Sequence, residues 1–169
     1  GGLASTTQDM VRVLSSAGYD VVIVETVGAG QSEVDIMRIS HTTIVVEAPG
    51  LGDGVQAIKA GILEIADILV VNKGDLAGAD KTERALKSML ELGHPTKYQS
   101  HDIPMWFPPI VCTSTKNDTG LDHLLETIND HHKYINQHDY QSILVQDQAT
   151  LEFNKRLKDS LFKRFVETV

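Results

Sequence analysis

Asn72-Lys73-Gly74-Asp75 follows directly on the apolar run Ile68-Leu69-Val70-Val71. These residue types suit the reading of a guanine base. An Asp carboxylate can accept from two guanine N–H groups at once, an arrangement that adenine cannot supply. The Asn amide can meet the base edge, and the Lys stem can lie along the base or toward bound phosphates. Open α/β sheets bind ligands at the carboxyl ends of their strands, which is where this tetrapeptide falls. Taken alone, the same residues also make an ordinary strand-to-helix loop, since Asn, Gly and Asp are turn formers.

Other segments occupy equivalent positions. Glu25-Thr26-Val27-Gly28 closes an apolar run with a carboxylate and places a glycine soon after it. That spacing fits a γ-phosphate sensor, with Glu25 near a Mg²⁺ shell and the Gly28 N–H donating to the terminal phosphate. A solvated carboxylate in a plain turn is the alternative. Thr113-Ser114-Thr115-Lys116 follows the apolar run Ile110-Val111-Cys112; such a loop can offer backbone N–H groups to the guanine carbonyl. Pro49, Gly50, Gly52, Asp53, Gln56 and Lys59 lie in a glycine-rich stretch opening into a helical pattern, which suits either a loop that rearranges with nucleotide state or a plain connection. The phosphate-cradling G-x-x-x-x-G-K-S/T pattern is missing from the sequence, and neither Gly28-Ala29-Gly30 nor Gly50-Leu51-Gly52 carries the Lys it requires.

The elements that must position these residues alternate. A helix is expected from Ser5 or Thr6 to about Ala17, stopped by Gly18. Strands are expected at Tyr19–Val24, Thr42–Val46, Ile68–Val71 and Ile110–Thr113, each a continuous apolar run. Between them fall helices at about Val55–Ala66 and from the capping-box pattern Asp80-Lys81-Thr82-Glu83 to about Leu92. Gly93–Pro109 reads as an irregular excursion with Trp106 as an aromatic plug over the sheet edge. A helix from Leu121 to about Tyr134, a polar, His-rich link over Asp130–Gln141 and a last helix at about Gln148–Glu167 complete the chain. The pattern predicts an α/β fold, a mostly parallel sheet with helices on both faces.

The 169 residues suit one core-forming domain, and 41% hydrophobic with 22% charged residues is an ordinary globular composition. The formal net charge of -8 argues against a nucleic-acid partner. No apolar stretch reaches membrane-spanning length and no signal peptide is present, which favours the cytoplasm, or the mitochondrial matrix if the source is eukaryotic. The single Cys112 reads as a small core residue, and the 7 histidines are too scattered to suggest a metal site.

The strings E-T-V-G-A-G-Q-S-E, A-P-G-L-G-D-G-V-Q-A-I-K-A-G-I-L-E-I-A-D and V-V-N-K-G-D, in that order, closely resemble the MeaB/ArgK family of GTPases associated with methylmalonyl-CoA mutase. The resemblance covers about Gly1 to Ile128. It implies a P-loop NTPase-type sheet and GTP/GDP with Mg²⁺ as cofactors. It implies guanine binding by Asn72, Lys73 and Asp75 with Ser114, Thr115 and Lys116 beside them. Glu25 and Gly28 would belong to the switch near Mg²⁺ and the γ-phosphate, and Pro49 to Lys59 to a further switch loop that communicates with the mutase. The implied role is a chaperone that uses GTP to gate cobalamin loading into, and protect, a B12-dependent acyl-CoA mutase, as a homodimer.

The family's phosphate loop and first switch would lie upstream of Gly1. The resemblance therefore implies an incomplete sheet, lacking the phosphate-loop strand between those ending at Glu25 and Glu47. It also implies weak nucleotide binding by this chain alone. The expected organisation is a partial GTPase domain over 1–134 and a C-terminal helical arm over 135–169, a possible dimerisation element. A non-catalytic protein-interaction module is the alternative function, and a nickel-delivery GTPase is a further one that the lack of clustered metal ligands disfavours.

Overall fold

The computed structural model describes residues 5–26, 39–50, 63, 65–92, 104–138 and 157. Most of the helix expected at Val55–Ala66 and nearly all of the last helix lie outside them, although Leu63, Ile65 and Leu157 are helical.

Three strands form a parallel sheet in the order β1-β2-β3: β1 is Ile44–Glu47, β2 is Ile68–Val71 and β3 is Ile110–Cys112. The register pairs Ile44 with Ile68 and Glu47 with Val71 on one side, and Leu69 with Ile110 and Val71 with Cys112 on the other. β2 is central and buried at every position, which explains why its four residues are apolar without alternation.

The strand pleat sends successive side chains to opposite faces. Leu69 and Val71 pack with Leu86 and Ala79 of helix α2 (Ala79–Leu92), with Val45 and Ile110 alongside. Ile68, Val70 and Val111 pack with Leu124 and Ile128 of helix α3 (Leu121–Gln137). Helices therefore cover both faces of the sheet, as the continuous apolar runs predict. The chain divides into two compact units, Gly1–Tyr134 and Ile135–Val169.

Helix α1 covers Ser5–Ser16 and ends at Gly18, whose φ of 89° is open to glycine without strain. The strand expected at Tyr19–Val24 does not form: the segment has no regular structure, with Val21 74% and Ile23 88% exposed. An apolar run becomes a strand only where a neighbour supplies ladder hydrogen bonds, and none pairs with it among the described residues. The free side of β1 matches this, with Val46 58% exposed.

Three smaller corrections follow. α2 begins at Ala79 and not at a capping Asp80; the Gly78 carbonyl accepts from the N–H groups of Lys81 and Thr82, and Asp80 sits in the first turn. The polar stretch from Asp130 is helical through Gln137 instead of a link, because His131 and Tyr134 fall on its buried side. Cys112, expected in the core, is exposed; its thiol donates to Glu83 at 3.8 Å, and partial burial followed by the Glu83 charge pushes its pKa up.

At the amino ends of the strands, Asp67 and His131 are both fully buried. Asp67 Oδ2 accepts the Thr43 N–H at 2.7 Å, and its Oδ1 lies 3.5 Å from His131 Nε2. His131 Nδ1 is 2.9 Å from the Thr42 hydroxyl. Trp106 stacks edge-on against His131 and donates its indole N–H to the Asp67 carbonyl, while Tyr134 donates to the Pro104 carbonyl. Trp106 is thus a plug, but it sits at the amino end of central β2, at the pole opposite Asn72, and not over the sheet edge as expected.

Candidate base-reading site

The carboxyl ends of β2 and β3 converge on Asp75. The Asn72 N–H continues the ladder to the Glu47 carbonyl at 2.7 Å, and the Thr113 N–H does so to the Val71 carbonyl at 2.9 Å. Beyond that point the chain departs from the sheet. Lys73 takes a φ of 58°, an unusual conformation for a residue with a side chain and one found preferentially at functional turns. The Gly74 N–H then donates back to the Thr113 carbonyl at 2.8 Å. A Cβ on Gly74 would stand only 3.3 Å from that oxygen, so any side chain at the variable position of the motif crowds this carbonyl.

Two hydroxyls from the β3 end hold the side chains of Asn72 and Asp75. Ser114 Oγ donates to Asp75 Oδ1 at 2.6 Å, and Thr113 Oγ1 donates to Asn72 Oδ1 at 3.3 Å. Asn72 Oδ1 also accepts the Lys73 N–H at 2.8 Å. The oxygen of the Asn72 amide is therefore engaged by the protein, which turns its NH₂ group into the donor available for a base acceptor. Each carboxylate oxygen of Asp75 has more than one acceptor direction, so the Ser114 bond fixes the carboxylate and leaves room for two N–H donors from a base.

Ser114 is buried and is itself located by the loop around it. It pairs with Thr119 in an isolated antiparallel bridge, and its Oγ accepts the Asn117 N–H at 3.3 Å. The turn closes through Asp118 at φ 52° and Gly120 at φ 77°. A Cβ at Gly120 would collide with the Cys112 carbonyl oxygen, so only glycine lets α3 start this close to β3. Lys116 Nζ lies 3.7 Å from Asp75 Oδ2, with its own side chain 79% exposed against 11% for Asp75. The Ser114 hydroxyl is the main cause holding the Asp75 carboxyl below the ordinary carboxylate range, and Lys116 adds to it. Asp75 is therefore an ionised acceptor at neutral pH.

The structure brings together Asn72, Lys73, Asp75, Ser114 and Lys116 of the residues expected at this site; Thr115 is exposed in the same turn. Pro49 is buried and Gly50 exposed just past β1. Glu25 is exposed in the irregular segment after α1. Gly28, Gly52, Asp53, Gln56 and Lys59 lie outside the described residues. Thr113, Gly74 and the Glu47 carbonyl are participants that the motif reading left unassigned. Thr113 had a signal, since a hydroxyl preceding Ser114 sits one strand across from Asn72. The carbonyl had none, because a backbone acceptor is invisible in side-chain patterns.

The family of the chain is shown by its likeness to known proteins. The pattern described as "Methylmalonyl Co-A mutase-associated GTPase MeaB" matches residues 1–169. The chain belongs to the MeaB family.

Members similar to this MeaB-family chain are widespread. A GTPase-named protein of Pyrococcus abyssi is 41% identical over 169 residues, covering 100% of this chain and 46% of that relative. The GTPase ArgK of Escherichia coli K12 is 36% identical over 131 residues, 77% of this chain and 38% of that protein. The mouse protein named methylmalonic aciduria type A homolog, mitochondrial, is 29% identical over 130 residues, 77% and 31% respectively. A crystal structure of LAO/AO transport system kinase superposes with a TM-score of 0.75 at 27% identity, over 93% of this chain and 49% of that one. The fold is thus P-loop NTPase-like, and the chain spans less than half the length of these relatives. Among the described residues no helix is long and apolar enough to cross a membrane, and no three metal-binding side chains converge.

Proposed function

We propose that this chain carries the guanine-reading part of a GTP-hydrolysing chaperone for a B12-dependent acyl-CoA mutase. The Ser114–Asp75 bond carries the reading. It fixes an ionised carboxylate at the tip of the central strand, in the place and state that bidentate guanine recognition requires. Asn72, with its amide oxygen tied down, donates to the base edge, and the exposed Lys73 stem covers the base. The Thr115 and Lys116 backbone lies beside the base carbonyl.

The family likeness supports the rest. Glu25 and Gly28 would serve the γ-phosphate side of the site, Glu25 holding Mg²⁺ through water and the Gly28 N–H donating to the terminal phosphate; the ion would supply charge neutralisation for phosphoryl transfer. Pro49, Gly50, Gly52, Asp53, Gln56 and Lys59 form a switch loop that reports nucleotide state to the mutase. The protein acts as a homodimer, gates cobalamin loading and protects its mutase, in the cytoplasm or, in a eukaryote, the mitochondrial matrix.

The deciding experiment is a base swap in the full-length protein. Asp75→Asn replaces an acceptor with a group that can donate, so GDP affinity is expected to fall about a hundredfold while xanthosine diphosphate affinity rises. Calorimetric titration of both nucleotides reads the exchange. GDP affinity left intact by Asp75→Asn would remove Asp75 from the base site.

A further inference from the structure

The hydroxyls of Thr113 and Ser114 hold one side of the base-reading loop, and the other side leans on the end of β1. The Asn72 N–H donates to the Glu47 carbonyl at 2.7 Å where the loop leaves the sheet. Pro49, two residues on, is buried. A Cβ placed on Gly78 would stand 3.8 Å from Pro49 Cβ, so the proline ring lies beside the point where the loop becomes α2. Gly78 has a φ of 98°, and its carbonyl accepts the first helical N–H groups. The loop Asn72–Gly78 is thus hydrogen-bonded to the turn Glu47–Gly50 at Asn72 and lies close to it at Gly78. The turn's own course depends on Gly50, exposed, at φ 83°, with nothing within 4 Å of where a Cβ would be. The positive φ at Gly50 is a backbone requirement that a side chain would strain.

We propose that the Glu47–Gly50 turn is a positioning element for base recognition, with Pro49 setting the reach of Asp75 through Gly78. The inference rests on the reading of Asp75 as the guanine acceptor. Because binding free energies are reciprocal, a turn that sets base affinity is itself restrained by the bound base to the same extent. Pro49 and Gly50 themselves begin the run of residues read as a switch. Base occupancy thereby acts on the start of that run through main chain, independently of the phosphates.

The test compares GDP with inosine diphosphate in the full-length protein by calorimetric titration. Inosine lacks the exocyclic amino group and so removes one of the two donors to Asp75. The ratio of the two affinities reads Asp75 geometry, whereas general loosening or lost phosphate contacts lowers both together. The native ratio is expected to be about tenfold. Pro49→Ala is expected to weaken GDP by about threefold to tenfold and to bring the ratio toward unity. Gly50→Ala, which meets no neighbour, should act in the same direction through strain alone, and Gly50→Asn, tolerated in left-handed backbone, should keep more of the ratio. An unchanged ratio in both Pro49→Ala and Gly50→Ala overturns the proposal, whatever happens to GDP itself. Asp75→Ala separates the two layers: a tenfold ratio that survives it shows that the base assignment has failed, and the positioning role falls with it.

Discussion

Asp75 and Ser114 stand 39 residues apart in sequence and 2.6 Å apart in space. The bond orients the carboxylate and lowers a pKa that already lies well below neutrality. Ser114→Ala removes that orientation, and GDP affinity is expected to fall about fivefold to tenfold in calorimetric titration. Asp75 has its folded pKa depressed, so the stabilisation from its bond is complete above the ordinary carboxylate range and is lost as pH falls through the depressed value. Glu47 behaves in the opposite way. Burial raises its pKa, so the folded state carries an ionisation penalty that appears as pH rises through the carboxylate range. Glu47→Gln is therefore expected to raise the melting temperature at pH 7, with the gain shrinking toward pH 4. A gain that stays constant across that range would show that burial of the charge is not its source.

The motif residues were legible as side-chain types, but their partners were not. Nothing in Asn72-Lys73-Gly74-Asp75 announces that Thr113 Oγ1 would occupy the Asn72 amide oxygen.

At the scale of elements, the β3-to-α3 connection shows how tightly the position of Ser114 depends on its supports. Ser114, Thr119 and Gly120 close a short loop in which the helix begins almost on top of the Cys112 carbonyl. Gly120→Ala must shift that oxygen and also hold φ near 77° with a side chain. A loss of about 3 kcal/mol or more is expected in chemical denaturation, with GDP affinity falling because Ser114 moves with the loop. The apolar runs gave β1, β2 and β3 within one or two residues, since buried parallel strands leave a continuous hydrophobic signature. The same signature at Tyr19–Val24 did not produce a strand. Hydrophobicity makes a segment eligible for a sheet, but pairing requires a neighbour whose N–H and C=O groups are in reach.

Across the whole molecule the two ends of the sheet have different tasks. The carboxyl ends carry Asn72, Asp75 and Ser114, and the amino ends carry the buried Asp67–His131 pair with Thr42, Thr43, Trp106 and Tyr134 around it. Removing one partner of such a pair leaves the other buried with its desolvation uncompensated. His131→Ala is expected to cost about 3 kcal/mol or more in stability, while GDP affinity of the folded protein stays within about twofold. Denaturation and titration on the same full-length variant check both statements. A comparable loss of GDP affinity would show that the two poles are coupled through the strands.

The sequence by itself determined the chemistry on offer and the order of the central elements. N-K-G-D behind a β-branched run, T-S-T-K behind the next strand, and glycines at the turns are local facts. Their causes, apolar burial and backbone freedom, act within a few residues. Only the tertiary structure decided which of these groups act together. Register between β2 and β3 places Thr113 and Ser114 against Asn72 and Asp75. α3 carries His131 to Asp67, and Tyr19–Val24, with no strand paired to it among the described residues, stays irregular. Those outcomes depend on contacts between segments remote in the chain, where one residue's surroundings are set by another's position and not by its own type.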